Sequence, residues 1–110
     1  MKGRVYPLEE LRERLIAEND LYFEFLRVDS MSAGLYALPA GATDPQTPHN
    51  EDEIYYVIKG KASINIDDNI QQVEPGALIF VAKNVDHHFQ DITKDLEVLV
   101  LFAPAETETT

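Results

Sequence analysis

Apolar positions along the chain follow a helical spacing first and strand spacing afterwards. Leu8, Leu11, Leu15 and Ile16 recur at intervals that place them in one stripe of an α-helix. Pro7 suits the first helical position, Glu9 and Glu10 sit favourably against the positive end of the helix dipole, and the helix is expected to end near Asn19. Glu10, Arg14 and Glu18 follow at four-residue intervals on the opposite face, which reads as a solvated surface with modest ion pairing.

From Leu21 the pattern changes to runs rich in aromatic and branched residues. LYFEFLRV is the first strand, and strand character around Leu35 to Leu38 stops at Pro39-Ala40-Gly41, a turn signal. EIYYVIK is apolar on both parities: Tyr55 and Val57 lie with Glu53, while Ile54, Tyr56 and Ile58 point the other way, as in a strand buried on both faces. Gly60 then breaks the run. ASINI and IQQV flank Asp67-Asp68-Asn69 as a compact hairpin, Pro75-Gly76 makes another turn, and ALIFVA, His87 to Asp91 and Leu96 to Phe102 supply further strands. One helix followed by about eight short strands, with turns every eight to twelve residues, predicts an all-β fold: a small double-sheet jelly-roll barrel. The expected division is a helical extension over 1–20, a barrel over 21–104 and a frayed tail over 105–110, since AETETT has too little apolar content to pack.

At 110 residues the chain fits a single domain with one core. A formal net charge of −11 with only 9 Lys+Arg excludes the basic footprint that nucleic acid requires, and argues equally against an anionic membrane surface. No apolar run approaches the roughly 18 residues of a membrane span and the N-terminus lacks a signal-like apolar core, so a cytoplasmic location is expected. Cysteine is absent, so any metal site must rest on His, Asp, Glu or neutral oxygen ligands.

The candidate chemistry gathers in Gly41 to Gly60, GATDPQTPHNEDEIYYVIKG. His49 precedes Glu53 by four residues, and Glu53 opens a strongly apolar strand, where an inward charge is costly unless it is paired or metal-bound. His87 comes later, between two further strand-like runs. Two imidazoles and a carboxylate on strands are the minimum kit for a first-row metal ion with positions left for a ligand. Tyr55 and Phe89 share parity with these residues and are candidates to line a pocket, with Tyr36 beside them, although aromatic residues on strands also serve as plain core. His88, on the opposite parity from His87, reads as a surface residue.

These residues resemble the motifs of the cupins, small β-barrel proteins with a double-stranded β-helix fold. The first cupin motif runs from a glycine through a His-x-His pair to a glutamate and a closing glycine; here Gly41 is followed by Thr47-Pro48-His49, then Glu53, then Gly60. His49 takes the place of the second histidine and Thr47 that of the first. The second motif is similar to Gly76, Ala82, Asn84, His87 and Asp91, with its spacing kept and several residue types changed. The likeness spans roughly 34–102. It implies one divalent transition metal, with Fe, Mn, Ni and Zn undistinguished, held by His49, Glu53 and His87. For the fourth contact it leaves open Gln46, Thr47 in its place, or water. Metal-bound imidazoles commonly have a hydrogen-bond partner, which makes Asp91 a candidate to orient His87, a plain turn-side acid being the alternative.

Two functions follow as expectations. One is a mononuclear-metal enzyme, a dioxygenase or an isomerase or lyase, acting on a small organic molecule; the other is a non-catalytic module that captures a small ligand. The doubly apolar strand EIYYVIK needs more cover than one helix provides, so a homodimer is expected, with the helix or an edge strand at its interface.

Overall fold

The computed structural model describes residues 2–107. It contains one helix, α1 (Leu8–Glu18), and six strands: β1 (Tyr22–Val28), β2 (Met31–Leu38), β3 (Asp52–Ile66), β4 (Asn69–Val73), β5 (Leu78–Val81) and β6 (His87–Ala103). Pro7 is the residue before the helix rather than its first turn, and Asn19 closes it in the left-handed conformation (φ 51°), a position that asparagine tolerates at a helix end. Leu11 and Leu15 are buried, whereas Ile16, expected in the same stripe, is exposed.

All pairing is antiparallel, in the order β1-β2-β6-β3-β4, with β5 on β3 as a further edge strand. The first half of β3 pairs the last part of β6 (Glu53 with Phe102, Tyr55 with Val100), and its second half pairs the beginning of β6 (Ile64 with Phe89, Ile66 with His87). Register shifts between Val57 and Ser63 separate the halves, so one pair of long strands passes from one layer of the barrel into the other. Six strands, two of them long, therefore replace the eight short ones expected. Gly60 bends β3 without ending it.

Gly60 has φ 103°, and a Cβ there would meet the Asp95 carbonyl oxygen at 2.4 Å, so only glycine allows the two strands to cross at the bend. Asp67 and Asp68 turn the β3–β4 hairpin with φ of 49° and 67°, the double left-handed geometry of a tight hairpin, achieved with aspartates. The Asn65 side chain accepts the Asp68 N–H at 2.9 Å and holds that turn.

Alternation on the strands builds the core. Tyr36, Leu38, Tyr55, Val57, Val98, Val100 and Phe102 point inward from one layer, and Ile64 and Phe89 from the other. On the outside, α1 lays Leu11 and Leu15 over Leu35, with Phe23, Phe25, Ile58 and Leu99 packed around them. That explains why β2 is apolar on both parities. The helix does not reach the rest of β3: Ile54 is 42% and Tyr56 39% exposed, so the strand expected to be buried on both faces is covered on its outer side only at Ile58. Arg12 fastens α1 to the sheet through hydrogen bonds to both carboxylate oxygens of Glu97, the shortest at 2.7 Å.

The bend gives a direct test. Replacing Gly60 with alanine is expected to lower unfolding free energy by roughly 3 kcal/mol, combining left-handed backbone strain with a backbone clash. Urea denaturation with an unchanged midpoint would contradict this account of the crossing.

Candidate metal centre

The functional side chains come from β3, from the start of β6 and from the segment that precedes β3. Glu53 and Tyr55 stand on the inward parity of β3, at 1% and 0% exposure, and His87 opens β6 in the facing layer at 2%. His49 lies in the segment before β3, where Asn84 donates its backbone N–H to the His49 carbonyl at 2.7 Å. The ring of His49 packs edge-on against Phe102, with centroids 4.8 Å apart. One nitrogen each from His49 and His87 and one oxygen of Glu53 lie within 4.8 Å of one another.

The hydrogen-bond chemistry of this cluster is one-sided. His87 Nδ1 is 2.9 Å from the Val85 carbonyl and can only donate to it, so a neutral His87 presents the lone pair of Nε2 to Glu53 Oε1, 3.0 Å away. Gln46 donates its amide N–H to Asp44 Oδ2 at 2.9 Å, which turns its carbonyl oxygen toward His49 Nε2 at 3.2 Å. Tyr55 donates its single hydroxyl proton to Gln46 Oε1 at 3.0 Å and lies equally close to His87 Nε2. Imidazole, amide and carboxylate acceptors thus converge on a region with one hydroxyl donor, and with His87 neutral both buried carboxylate oxygens of Glu53 lack a well-aligned hydrogen-bond donor among the described residues.

A buried carboxylate facing imidazole lone pairs calls for a positive charge between them. In the metal-free protein a proton can supply it: burial alone disfavours the charged His87 ring, but the Glu53 carboxylate and the Val85 carbonyl outweigh it and raise the His87 pKa above its ordinary value. Burial, with the Glu53 carboxylate second, pushes the Tyr55 hydroxyl well above the usual phenol range, so it keeps its proton. Nitrogen and oxygen donors with an unsatisfied buried carboxylate fit a first-row divalent ion.

His49, Glu53 and His87 are brought together, and Gln46 joins them. Thr47 is exposed on the wall of the neighbouring cavity. Tyr36 lines that cavity, while Phe89 is core, its ring 5.0 Å from Tyr55. Tyr55 contributes its hydroxyl to the cluster rather than a wall to the cavity. Asp91 does not orient His87: its side chain is exposed and bonds only weakly to Gln90, because the positive φ of Asp91 (50°) turns the strand there, and the Val85 carbonyl takes the expected role.

Two acids beside the cluster have no counterpart in the sequence-based expectations. Asp44, 8% exposed, accepts hydrogen bonds from the Tyr36 hydroxyl (2.5 Å), the Phe89 backbone N–H (2.9 Å) and both the backbone and side chain of Gln46. The other lies in the tail. Glu106 lines the cavity with Oε2 3.1 Å from His49 Nδ1, and Thr107 donates to the buried Glu51 carboxylate through both N–H and hydroxyl. Residues 105–107 are therefore anchored by polar contacts, contrary to the fraying that their apolar content suggested. The remainder of the expected tail, 108–110, lies outside the described residues.

The cavity beside the cluster measures about 270 Å³ and is lined by Tyr22, Tyr36, Gln46, His49, Phe102 and Glu106 among others, with no lysine or arginine among its described residues. Such a layout, a bent antiparallel barrel with a histidine–carboxylate cluster inside one end, defines a double-stranded β-helix protein with a candidate metal centre. Residues 34–103 match the cupin domain family, and the chain belongs to it. The uncharacterised protein SCO3923 of Streptomyces coelicolor is 43% identical over 104 residues, covering 94% of this chain and 99% of that protein. Two solved structures share the fold: an RmlC-like cupin family protein from Methanocaldococcus jannaschii (TM-score 0.75, 23% identity, 94% and 93% of the two chains) and TT1209 from Thermus thermophilus (TM-score 0.76, 21% identity, 94% and 99%). No helix among the described residues is long and apolar enough to cross a membrane.

Asp44→Ala is expected to lower stability by about 3 kcal/mol, since it strands the buried Phe89 N–H and Tyr36 hydroxyl. Equilibrium denaturation measures it, and a loss below a few tenths of a kcal/mol would show that Asp44 is not the tie its hydrogen bonds describe.

Proposed function

We propose that this chain binds one divalent transition metal, Fe, Mn, Ni or Zn, through His49, Glu53, His87 and the side-chain oxygen of Gln46, and uses it on a small organic molecule held in the adjoining cavity. The observation that carries this reading is the convergence of His49, His87 and the buried Glu53 carboxylate within 4.8 Å of one another. A bound ion would act as a Lewis acid toward an oxygen of the ligand. The protein's own residues do the rest: Asp44 holds the Gln46 oxygen in place, Val85 fixes the His87 tautomer, and Phe102 packs against the His49 ring while Tyr36 walls the cavity beside it. A cavity wall without lysine or arginine among its described residues suits a neutral or cationic ligand.

A second reading is a non-catalytic binding module, which Thr47, exposed on the cavity wall where the family pattern has a histidine, favours. Turnover of a small substrate that disappears in His49→Ala would decide for the enzyme.

Metal-stripped protein titrated with each of the four ions is expected to gain thermal stability from at least one of them. At a hundredfold excess over the dissociation constant the gain is about 2.7 kcal/mol, several degrees in Tm, and it should vanish in His87→Ala. If none of the four ions shifts Tm, the metal reading fails.

We also propose a homodimer through the outer face of β3 and the edge strand β5. Register places Ile54 beside Phe80 and Tyr56 beside Leu78, and Leu78 and Phe80 are 73% and 61% exposed. Four large apolar side chains in one patch are what an isologous contact with a second copy would cover. Sedimentation should give a dimer at micromolar concentration and a monomer for Phe80→Glu; a wild-type monomer would refute it.

A further inference from the structure

We propose that Glu106 is a positioning residue for His49, and that the segment from Pro104 to Thr107 is for this reason a working part of the metal centre. The two histidines of the cluster are held in different ways. His87 has a backbone carbonyl, that of Val85, two residues away for its Nδ1. His49 has no such carbonyl among the described residues. Its Nδ1 is buried and lacks a well-aligned hydrogen bond, and the acceptor near it is Glu106 Oε2 at 3.1 Å, from a segment that follows the last strand.

A neutral imidazole carries one ring proton, and the nitrogen without it is the one able to bind a metal. Around His49 both ring nitrogens face acceptors: Gln46 Oε1 lies 3.2 Å from Nε2, and the Glu106 carboxylate lies beside Nδ1. The stronger attraction for an N–H is to the charged acceptor. Glu106 therefore draws the proton to Nδ1 and leaves the Nε2 lone pair facing Gln46 and the rest of the cluster. The carboxylate of Glu106 is not among the groups that converge within 4.8 Å, so it acts through the ring of His49 rather than as a ligand.

The chain fixes Glu106 well enough for this work. Its N–H donates to the hydroxyl of fully buried Ser32 at 2.9 Å, and its carbonyl accepts from Arg27 Nη2 at 2.6 Å. One residue on, Thr107 donates to Glu51 Oε2 through its hydroxyl at 2.7 Å and through its N–H at 3.2 Å, and accepts from Asn50 Nδ2. Glu51 is only 2% exposed and lies two residues from His49, so the strap is tied to the same segment that carries the ring.

The inference rests on the metal reading for its affinity consequence, while the tautomer of His49 belongs to the metal-free protein and is tested separately. Long-range ¹H–¹⁵N spectra of metal-free, ¹⁵N-histidine-labelled protein at about pH 8, where an ordinary imidazole is neutral, read the tautomer directly. Wild type is expected to show His49 with its proton on Nδ1. Glu106→Ala should move the proton toward Nε2, and Glu106→Gln, which keeps an acceptor oxygen but not its charge, should restore the wild-type pattern only in part. In parallel, Zn²⁺ competition against a chromophoric chelator should show binding about 10–100-fold weaker in Glu106→Ala, with partial recovery in Glu106→Gln. An unchanged tautomer together with unchanged Zn²⁺ affinity in Glu106→Ala overturns the proposal. If wild type binds no Zn²⁺ but the tautomer still follows Glu106, the metal reading falls and the positioning role stands.

Discussion

The long antiparallel pairing of β3 with β6, bent through the Gly60 crossing, is the constraint on which the rest of this molecule depends. Because the two strands stay paired on both sides of the bend, the register that sets Glu53 beside Phe102 also sets Ile66 beside His87. The bend then folds the start of β6 over the start of β3, and an imidazole and a carboxylate far apart along the ladder meet at 3.0 Å. Neither side chain has freedom to avoid the other, since both are almost completely buried. A shift of one residue in either half would turn Glu53 or His87 outward and exchange core for surface along the whole strand.

This enforced meeting has an energetic consequence. A carboxylate buried without donors is costly, and the surrounding acceptors do nothing to relieve it. A proton on His87 or a bound metal ion would relieve it, and either would act on the same buried charge. Asp44 works in the opposite sense. Its oxygens are satisfied by the Tyr36 hydroxyl, the Phe89 N–H and Gln46, so this buried acid stiffens the site instead of straining it.

What is legible in the sequence follows the reach of local pattern. Alternation along EIYYVIK identifies Glu53, Tyr55 and Val57 as the inward set, and motif spacing joins His49 and Glu53 to His87 across a gap that no periodicity bridges. Gly60 reads as a strand end because a glycine that stops a strand and one that bends it have the same local signature; the difference lies in Asp95, distant in sequence. Asp44, Glu51 and Glu106 are not legible. In a chain with 20 Asp+Glu, an acid in an irregular segment resembles the solvated majority, and its role depends on partners distant along the chain. The tail misleads for a related reason: it packs through hydroxyl and carboxylate hydrogen bonds, whereas apolar content registers only hydrophobic packing.

On the proposed metal reading, Gln46, next to Thr47 where the family pattern has a histidine, would supply an oxygen in place of the missing imidazole and leave the charge of the donor set unchanged, because amide and neutral imidazole are both uncharged. It does change what the site tolerates nearby. The amide oxygen can be aimed only if something holds the amide nitrogen, and the group that does so is Asp44, a carboxylate. Glu106 adds another behind His49. A divalent ion at this centre would therefore sit among Glu53, Asp44 and Glu106, with negative charge nearby exceeding its own and no lysine or arginine among the described residues of the cavity wall to offset it. An anionic ligand would meet that field on entry, whereas a neutral or positively charged one would not. The replacement of one donor type and the acidity of the cavity are in this sense a single feature, and the same carboxylates that position the donors set the charge of what can approach them.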